Sequence, residues 1–482
     1  MLKRLPLLLM FGAAVSACSV GPAYHAKSPN ELGVPGSYSV PADSAPRLDL
    51  ARWWARFDDP LLGALVEQGR AGNLDIGQAV TRLRQARESL VQAQSQLLPG
   101  VSGSGGYGRN IPLNGPSIPG VARDSFSLGA DVSWQADIFG GNRNSARAAA
   151  AQYEGSGFDY ANVLISIEAE VARNYILARL AQAQLANARA SLGIQDENLQ
   201  IAGWRVQAGL VSSLDNEQAR SQRAQTAATI PQLEASYNSS VSRLGVLTGQ
   251  APGALKAQLE APKPIPTGPG DIAVGIPADT LRQRPDVRSA ERSLAAATAR
   301  IGVARAQLYP QLSLGGSIDA GASRVSDIFD VISGRLFANV AQTIFDAGRT
   351  RSNIRANEAA ADGAFLAYKA SVLNALEDVE LALTALHSAE AREGFFTTAL
   401  DAATNSATLA RSQYRAGLTD FTTLNQSESA LLSARNGLSQ AQSDKATALV
   451  QLFLALGGGW DSGTVPNVQT VQNLSTPAPQ ER

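Results

Sequence analysis

SFSLGADVSWQADIF (Ser125–Phe139) is the stretch on which the fold turns. Phe126, Leu128, Ala130, Val132, Trp134, Ala136 and Ile138 fall on one face, and Ser127, Gly129, Asp131, Ser133, Gln135 and Asp137 on the other. Successive side chains leave a strand on opposite sides, so this period of two marks a β-strand. The residues that follow, GGNRNSARAAAAQYEGSGFDYANV from Gly140, lose the alternation and are rich in Ala, Gln, Asn and Arg. One long strand therefore stands in a chain that otherwise reads as helix.

Working outward, the strand proves to have counterparts. QLLPGVSGSGGYG (from Gln96) matches QLYPQLSLGGSI (from Gln307), and DIFGGNRNSARAA (from Asp137) matches TIFDAGRTRSNIRA (from Thr343). VQAGLVSSL (from Val206) matches YRAGLTDFT (from Tyr414), and LGVLTGQ (from Leu244) matches LFLALGG (from Leu452). Phe139 to Phe345 is 206 positions, Gly209 to Gly417 is 208, and Pro99 to Pro310 is 211. Near-constant spacing over half the chain predicts a duplicated unit, too long to be a solenoid repeat. Each unit reads helix, strand, loop, strand, long helix, short break, helix. The predicted strands are 101–110, 125–138, 311–320 and 336–345, and their length of about ten residues suits a transmembrane β-strand.

The helical part carries its own period. Leu164, Val171, Ala178, Leu185, Leu192, Leu199 and Val206 recur every seven residues, with Ala181, Ala188 and Ala202 three positions on. That pattern predicts a coiled-coil seam with small residues for close approach. No proline interrupts 143–208, so the helix would run about 100 Å at about 1.5 Å per residue. Four strands cannot close a membrane barrel, and lipid leaves an open sheet edge without hydrogen-bond partners. Three chains would supply twelve strands, with Phe126, Leu128, Val132 and Trp134 facing lipid and Ser127, Asp131, Ser133 and Gln135 facing a lumen.

Composition narrows the function. The 41 basic and 42 acidic residues leave a net charge of −1, so no electrostatic case exists for nucleic acid as a partner. Two histidines (His25, His387) and one cysteine (Cys18) leave no material for a His/Cys metal site, a Cys/His pair or a disulfide framework. No nucleophile, base and orienting group emerge together, so the chain reads as a non-enzyme without cofactor or metal. The start, MLKRLPLLLMFGAAVSACSV, has basic Lys3 and Arg4, an apolar run from Leu5 to Val15, and small residues before Cys18. That is a signal-peptide pattern, too short to span a bilayer. Val15-Ser16-Ala17-Cys18 resembles a bacterial lipobox, which implies acylation of Cys18 and a membrane tether; Ser19, not Asp, implies transfer to the outer membrane.

Five segments in order resemble the TolC-like outer-membrane efflux proteins, in particular the lipoproteins that serve tripartite drug efflux pumps. They are CSVGPAY at Cys18, WWARFDDPLL at Trp53, DIFGGNRNSARAA at Asp137, LRQRPDVRSAERSLAAATARIGVARAQLYPQLSL at Leu281, and LVQLFLALGGGW ending at Trp460. The resemblance implies a mixed α and β membrane protein: a trimeric 12-stranded β-barrel, four strands per chain, continued by a long coiled-coil periplasmic tunnel. It implies a homotrimer that works with a periplasmic adaptor protein and an inner-membrane efflux transporter, in contact with outer-membrane lipid, to export toxic small molecules. The parts would be a signal peptide (1–17), a lipid-anchored segment (18–60), a first repeat (61–270), a second repeat (271–460) and a polar, disordered tail (461–482).

In that family, helix-hairpin turns close the periplasmic aperture and meet the adaptor. The matching turns place Gly209, Leu210, Gly417 and Leu418 as adaptor-docking residues. Relatives commonly carry two aspartates past the second turn, where this chain has Thr423 and Gln426; Asp215 and Asp420 remain as acidic candidates for the aperture, or as helix caps. Trp53, Trp54 and Phe57 read as packing, and Pro285-Asp286 as a helix start. Two alternatives stay open: a protein secretion duct of the same architecture, and a periplasmic helical structural lipoprotein whose strands form a soluble sheet.

Overall fold

The structure is a computed structural model and describes residues 20–39, 50–110, 124–269, 277 and 283–461. The predicted signal segment, Cys18 and residues 462–482 lie outside the described residues. In chain order the elements are α1 (Pro60–Gly72), α2 (Leu74–Ser95), β1 (Gly100–Arg109), β2 (Asp124–Ala136), α3 (Gly141–Gln207), α4 (Ser213–Leu247), a short α5 (Lys256–Leu259), α6 (Pro285–Ala306), β3 (Gln311–Ala322), β4 (Ile332–Ala341), α7 (Arg349–Arg415) and α8 (Phe421–Ala455). Helices α3 and α7 each have 67 residues, and α4 and α8 each have 35. Among the described residues no helix is long and apolar enough to cross a membrane.

The chain forms two compact units, and each draws on both halves of the sequence. Of the described residues, the first contains the sheet, with those of 20–27, 82–157 and 289–370; the second contains those of 28–81, 158–288 and 371–461.

In the first unit the strands pair antiparallel in the order β1-β2-β3-β4. Register aligns the alternation across all four: Val101 opposes Val132, Val132 opposes Gly316, and Gly316 opposes Leu336. Trp134, Leu314 and Ala338 form the next rung, and Leu128, Ala320 and Ile332 another, so one face is apolar from edge to edge. The other face carries Ser102, Asp131, Ser317 and Arg335 in one rung and Ser104, Gly129, Asp319 and Ser333 in the next. Two charges on the apolar face, Arg109 and Asp124, sit at its far end and pair at 3.8 Å.

Three strands lie within two residues of the sequence expectation, but the fourth, expected over 336–345, runs instead from Ile332 to Ala341. Its ladder ends where Gln311 meets Ala341, because the residue before Gln311 is Pro310, which has no N–H to extend the pairing. Ile344 and Phe345 lie beyond the strand. Asp137 and Asp346 then start the two long helices: Asp137 accepts the N–H groups of Asn142 (3.1 Å) and Arg143 (2.8 Å), and Asp346 those of Gly348 (3.0 Å) and Thr350 (2.8 Å).

In the second unit the heptad residues Leu164, Val171, Ala178, Ala181, Ala188 and Ala202 are buried. The aromatic segment packs as its composition suggests: Trp53 stacks on Phe453 at 5.5 Å between centroids, and Phe57 meets the same ring edge-on at 6.3 Å. Trp53–Phe57 form a short 3-10 helix that Asp58, at φ 49°, ends in the left-handed region, and Asp59 caps α1 through the N–H of Leu61 (2.9 Å). Pro285 opens α6, where Arg284 bonds Asp286 (2.7 Å) and Asp378 (2.8 Å). Phe396 of α7 covers Gly437 of α8, where a Cβ would lie 2.3 Å from the ring. At a spacing of 208 the corresponding residues of the first hairpin are Ala188, which is buried, and Thr229, which is exposed.

Glu168 is a buried carboxyl of this core. Its Oε1 accepts a hydrogen bond from Arg70 at 2.5 Å, and its side chain is fully buried. Burial pushes the carboxyl up to about 9, opposed by the Arg70 guanidinium. Gly459, at φ +98°, leaves room for it: a Cβ there would lie 2.1 Å from Glu168 Oε2.

Gly459→Ala therefore combines backbone strain with a buried clash, and should lower stability by about 2 kcal/mol or more, read as a drop in the thermal midpoint of the detergent-extracted protein. The Glu168 carboxyl titrates near 4.5 when unfolded and about 9 when folded, so between those values the folded chain holds the extra proton. Stability should then fall as pH rises through that window. Thermal midpoints measured from pH 5 to 9 should show a shallower slope for Glu168→Gln than for the unsubstituted chain.

Candidate functional site

The two turns named from sequence both belong to the second unit, and both are built by one backbone device. Helix α3 ends at Gln207; the N–H of Gly209 bonds Val206 O (3.0 Å) and the N–H of Leu210 bonds Arg205 O (2.9 Å). Helix α7 ends at Arg415; the N–H of Gly417 bonds Tyr414 O (3.0 Å) and the N–H of Leu418 bonds Gln413 O (2.8 Å). These are Schellman motifs, whose left-handed residue must bear a positive φ. Gly209 and Gly417 supply it at 68° and 76°, where a Cβ would be strained. The leucines after them gain no cover: Leu210 is 69% exposed and Leu418 79%.

The next helices start differently. Ser212 caps α4 by accepting the Leu214 N–H (3.1 Å), whereas Asp420 caps α8 by accepting the Thr423 N–H (2.8 Å). The bonds from Thr423 hold the Asp420 carboxyl below the usual carboxylate range. Asp215 lies half-buried in the first turn of α4. Thr423 and Gln426 are exposed on the first turns of α8, and the Thr423 carbonyl accepts the Ser427 hydroxyl (3.0 Å). Of the two acidic candidates, Asp420 is thus committed to a cap.

Behind the turns, Ala202, Ala219, Ala410, Tyr414, Phe421 and Leu424 form one apolar cluster, with Tyr414 edge-on to Phe421 at 6.0 Å. The Arg205 guanidinium lies 4.8 Å over the Tyr414 ring and donates to the Tyr414 carbonyl (3.3 Å). Arg415 reaches Glu197 at 3.4 Å, Arg223 pairs with Asp196, and Arg411 pairs with Glu428. Arg205 and Tyr414 escaped the sequence reading. The 208-residue spacing held the signal, since it places Arg205 against Gln413, one residue from Tyr414.

In the first unit Phe126, Leu128, Val132 and Trp134 share the apolar face, as their alternation requires. Phe126 lies 5.0 Å from the Tyr107 ring, and Trp134 Nε1 donates to Leu97 O (3.1 Å). Cys18 lies outside the described residues; Val20, two positions on, donates its N–H to Phe139 O (3.1 Å), just past β2. Among the described residues no group of His, Cys, Asp and Glu side chains is placed to share a metal ion.

Comparison with known proteins places this architecture. Nodulation protein T of Rhizobium leguminosarum bv. trifolii is 30% identical over 458 residues, 94% of this chain and 96% of that protein. The pyoverdine export outer membrane protein OpmQ of Pseudomonas aeruginosa is 31% identical over 421 residues, 86% of this chain and 88% of that one. The solved outer-membrane channel OprN superposes with a TM-score of 0.81 at 32% identity, over 92% of this chain and 100% of its own. The profile of the family described as outer membrane efflux protein matches residues 65–250 and 276–458, and the chain belongs to that family.

Proposed function

We propose that the chain is the outer-membrane channel of a tripartite efflux system, a passive exit for small molecules delivered by an inner-membrane transporter through a periplasmic adaptor. One observation carries the reading: a four-stranded sheet, apolar on one face up to the Arg109–Asp124 pair at its end and polar on the other, whose edge strands β1 and β4 each keep one side without a neighbour among the described residues. In lipid those edges must pair, and copies of the same chain supply the partner strands. Three copies close twelve strands with Phe126, Leu128, Val132 and Trp134 toward lipid.

The equal lengths of α3 and α7, and of α4 and α8, support descent from a duplicated unit, bounded by 61–270 and 271–460 after a signal peptide and an anchored segment. Acylated Cys18 would tether the chain to the outer membrane, consistent with Val20 bonding at the foot of β2. Gly209, Leu210, Gly417 and Leu418 would dock the adaptor, for which the exposed leucines on fixed backbone turns are suited. Asp215, Asp420, Thr423 and Gln426 would face the aperture. Cargo of the pyoverdine kind, named for one relative, fits a channel of this build.

Protein extracted from the outer-membrane fraction in mild detergent should have the native mass of three chains; a monomer or dimer would leave the tethered helical spacer as the better account. With neutral Thr423 and Gln426, the aperture should bind divalent cations weakly. Replacing both with Asp should deepen divalent-cation block of single-channel current at least several-fold, through the added charge. Strong block in the unsubstituted channel that survives Asp215→Asn and Asp420→Asn together would contradict this.

A further inference from the structure

The polar face of the sheet is almost free of charge, built of Gly, Ser, Gln and Asn with Phe337 as its one large apolar side chain. Its charged residues among the described strands are Asp131, Asp319 and Arg335, and register gathers all three into two neighbouring rungs. Asp131 opposes Ser317, which opposes Arg335; one rung on, Asp319 lies between Gly129 and Ser333. Diagonal neighbours of this kind lie about 7–8 Å apart. The rungs on either side, Ser133–Gly315–Phe337 and Ser127–Gly321, carry no charge.

Asp319 is also held in place. The Ser317 hydroxyl donates to its Oδ2 at 2.8 Å, and its Oδ1 lies over Gly129, where a Cβ would come within 2.9 Å. The carboxylate therefore leans across the glycine toward β2, the strand that carries Asp131. Two rungs from Asp319, beyond Arg335, Phe337 lies against Gly315, where a Cβ would be 2.3 Å from its ring, so the aromatic lies flat along the wall.

We infer that Asp131, Asp319 and Arg335 form the charge-selective girdle of the pore, favouring cationic and zwitterionic over anionic solutes. The inference rests on the reading that this face lines a water-filled lumen. Two carboxylates and one guanidinium per chain leave one net negative charge, repeated in every copy around the lumen. Low-dielectric walls focus such a field onto the solute path. At about 7 Å in water a unit charge changes the local concentration of a monovalent ion roughly threefold, more in a narrow pore and less in high salt.

The test reads the local potential without depending on the aperture. Ser133→Cys places a thiol one rung from Asp131 on the same face, and is treated from the outer side with cationic and anionic methanethiosulfonates of similar size. The chain with its natural Cys18 alone is the blank, and recovery of the oligomer in detergent shows that each variant has folded. The cationic reagent should react several-fold faster. Asp131→Asn and Asp319→Asn should each lower the rate ratio by about two- to fivefold, and Arg335→Gln should raise it. A ratio unmoved by all three substitutions overturns the girdle. Failure of both reagents to modify Ser133→Cys, while Val132→Cys is modified, overturns the lumen reading itself.

Discussion

The structure depends on a hydrogen-bonding constraint. A backbone N–H or C=O without a partner costs several kcal/mol in hydrocarbon, so a sheet that meets lipid cannot keep a free edge. β1 and β4 expose such edges, while register lays an apolar face across every strand between them. On the proposed reading the sheet is therefore a fragment of something larger, and a chain with these four strands would be committed to assembly before any question of cargo arises. The mixed polarity of its two faces would then give that assembly an inside and an outside.

The same accounting governs the helices. A helix of 67 residues leaves the usual four unpaired carbonyls at its end; here backbone N–H groups meet three of them in each helix, with glycine providing the left-handed residue, and Arg205 adds a side-chain bond to the Tyr414 carbonyl. The device recurs at Gly249 and Gly457, where the N–H of Gln250 bonds Gly245 O and that of Gly458 bonds Phe453 O. The pairs Gly209 and Gly417, and Gly249 and Gly457, are both 208 residues apart. Capping side chains are freer to vary, because serine and aspartate can each satisfy an N–H of the first turn; Ser212 takes the one two residues on, and Asp420 the one three residues on.

Much of this was legible in the sequence, for local reasons. Alternation at Ser125–Phe139 fixes which side chains share a face whatever the strand pairs with, and the heptads do the same for a seam that is buried at Leu164, Val171 and Ala178 and half-buried at Leu185, Leu192, Leu199 and Val206. Strand ends were less legible, since the limit of β4 is set across the sheet by Pro310 and not by its own residues. The contacts of single buried groups were hidden altogether. Glu168 and Gly459 are far apart in sequence, and nothing local announces that one carboxylate needs the other's missing side chain. Arg205 over Tyr414 lies between these cases, recoverable only by reading the two halves side by side.

Phe396 over Gly437 bears on how such a chain can change. Where the second hairpin sets a ring on α7 against a bare backbone on α8, the corresponding positions of the first hold Ala188 and Thr229. Ala188 is buried and Thr229 is exposed, so among the described residues this ring-on-glycine lock belongs to the second hairpin and is not repeated at the matching positions of the first. The unit that can be transplanted between the halves, or between related chains, is accordingly the whole hairpin: a helix moved alone would bring bulk to meet bulk or leave a void.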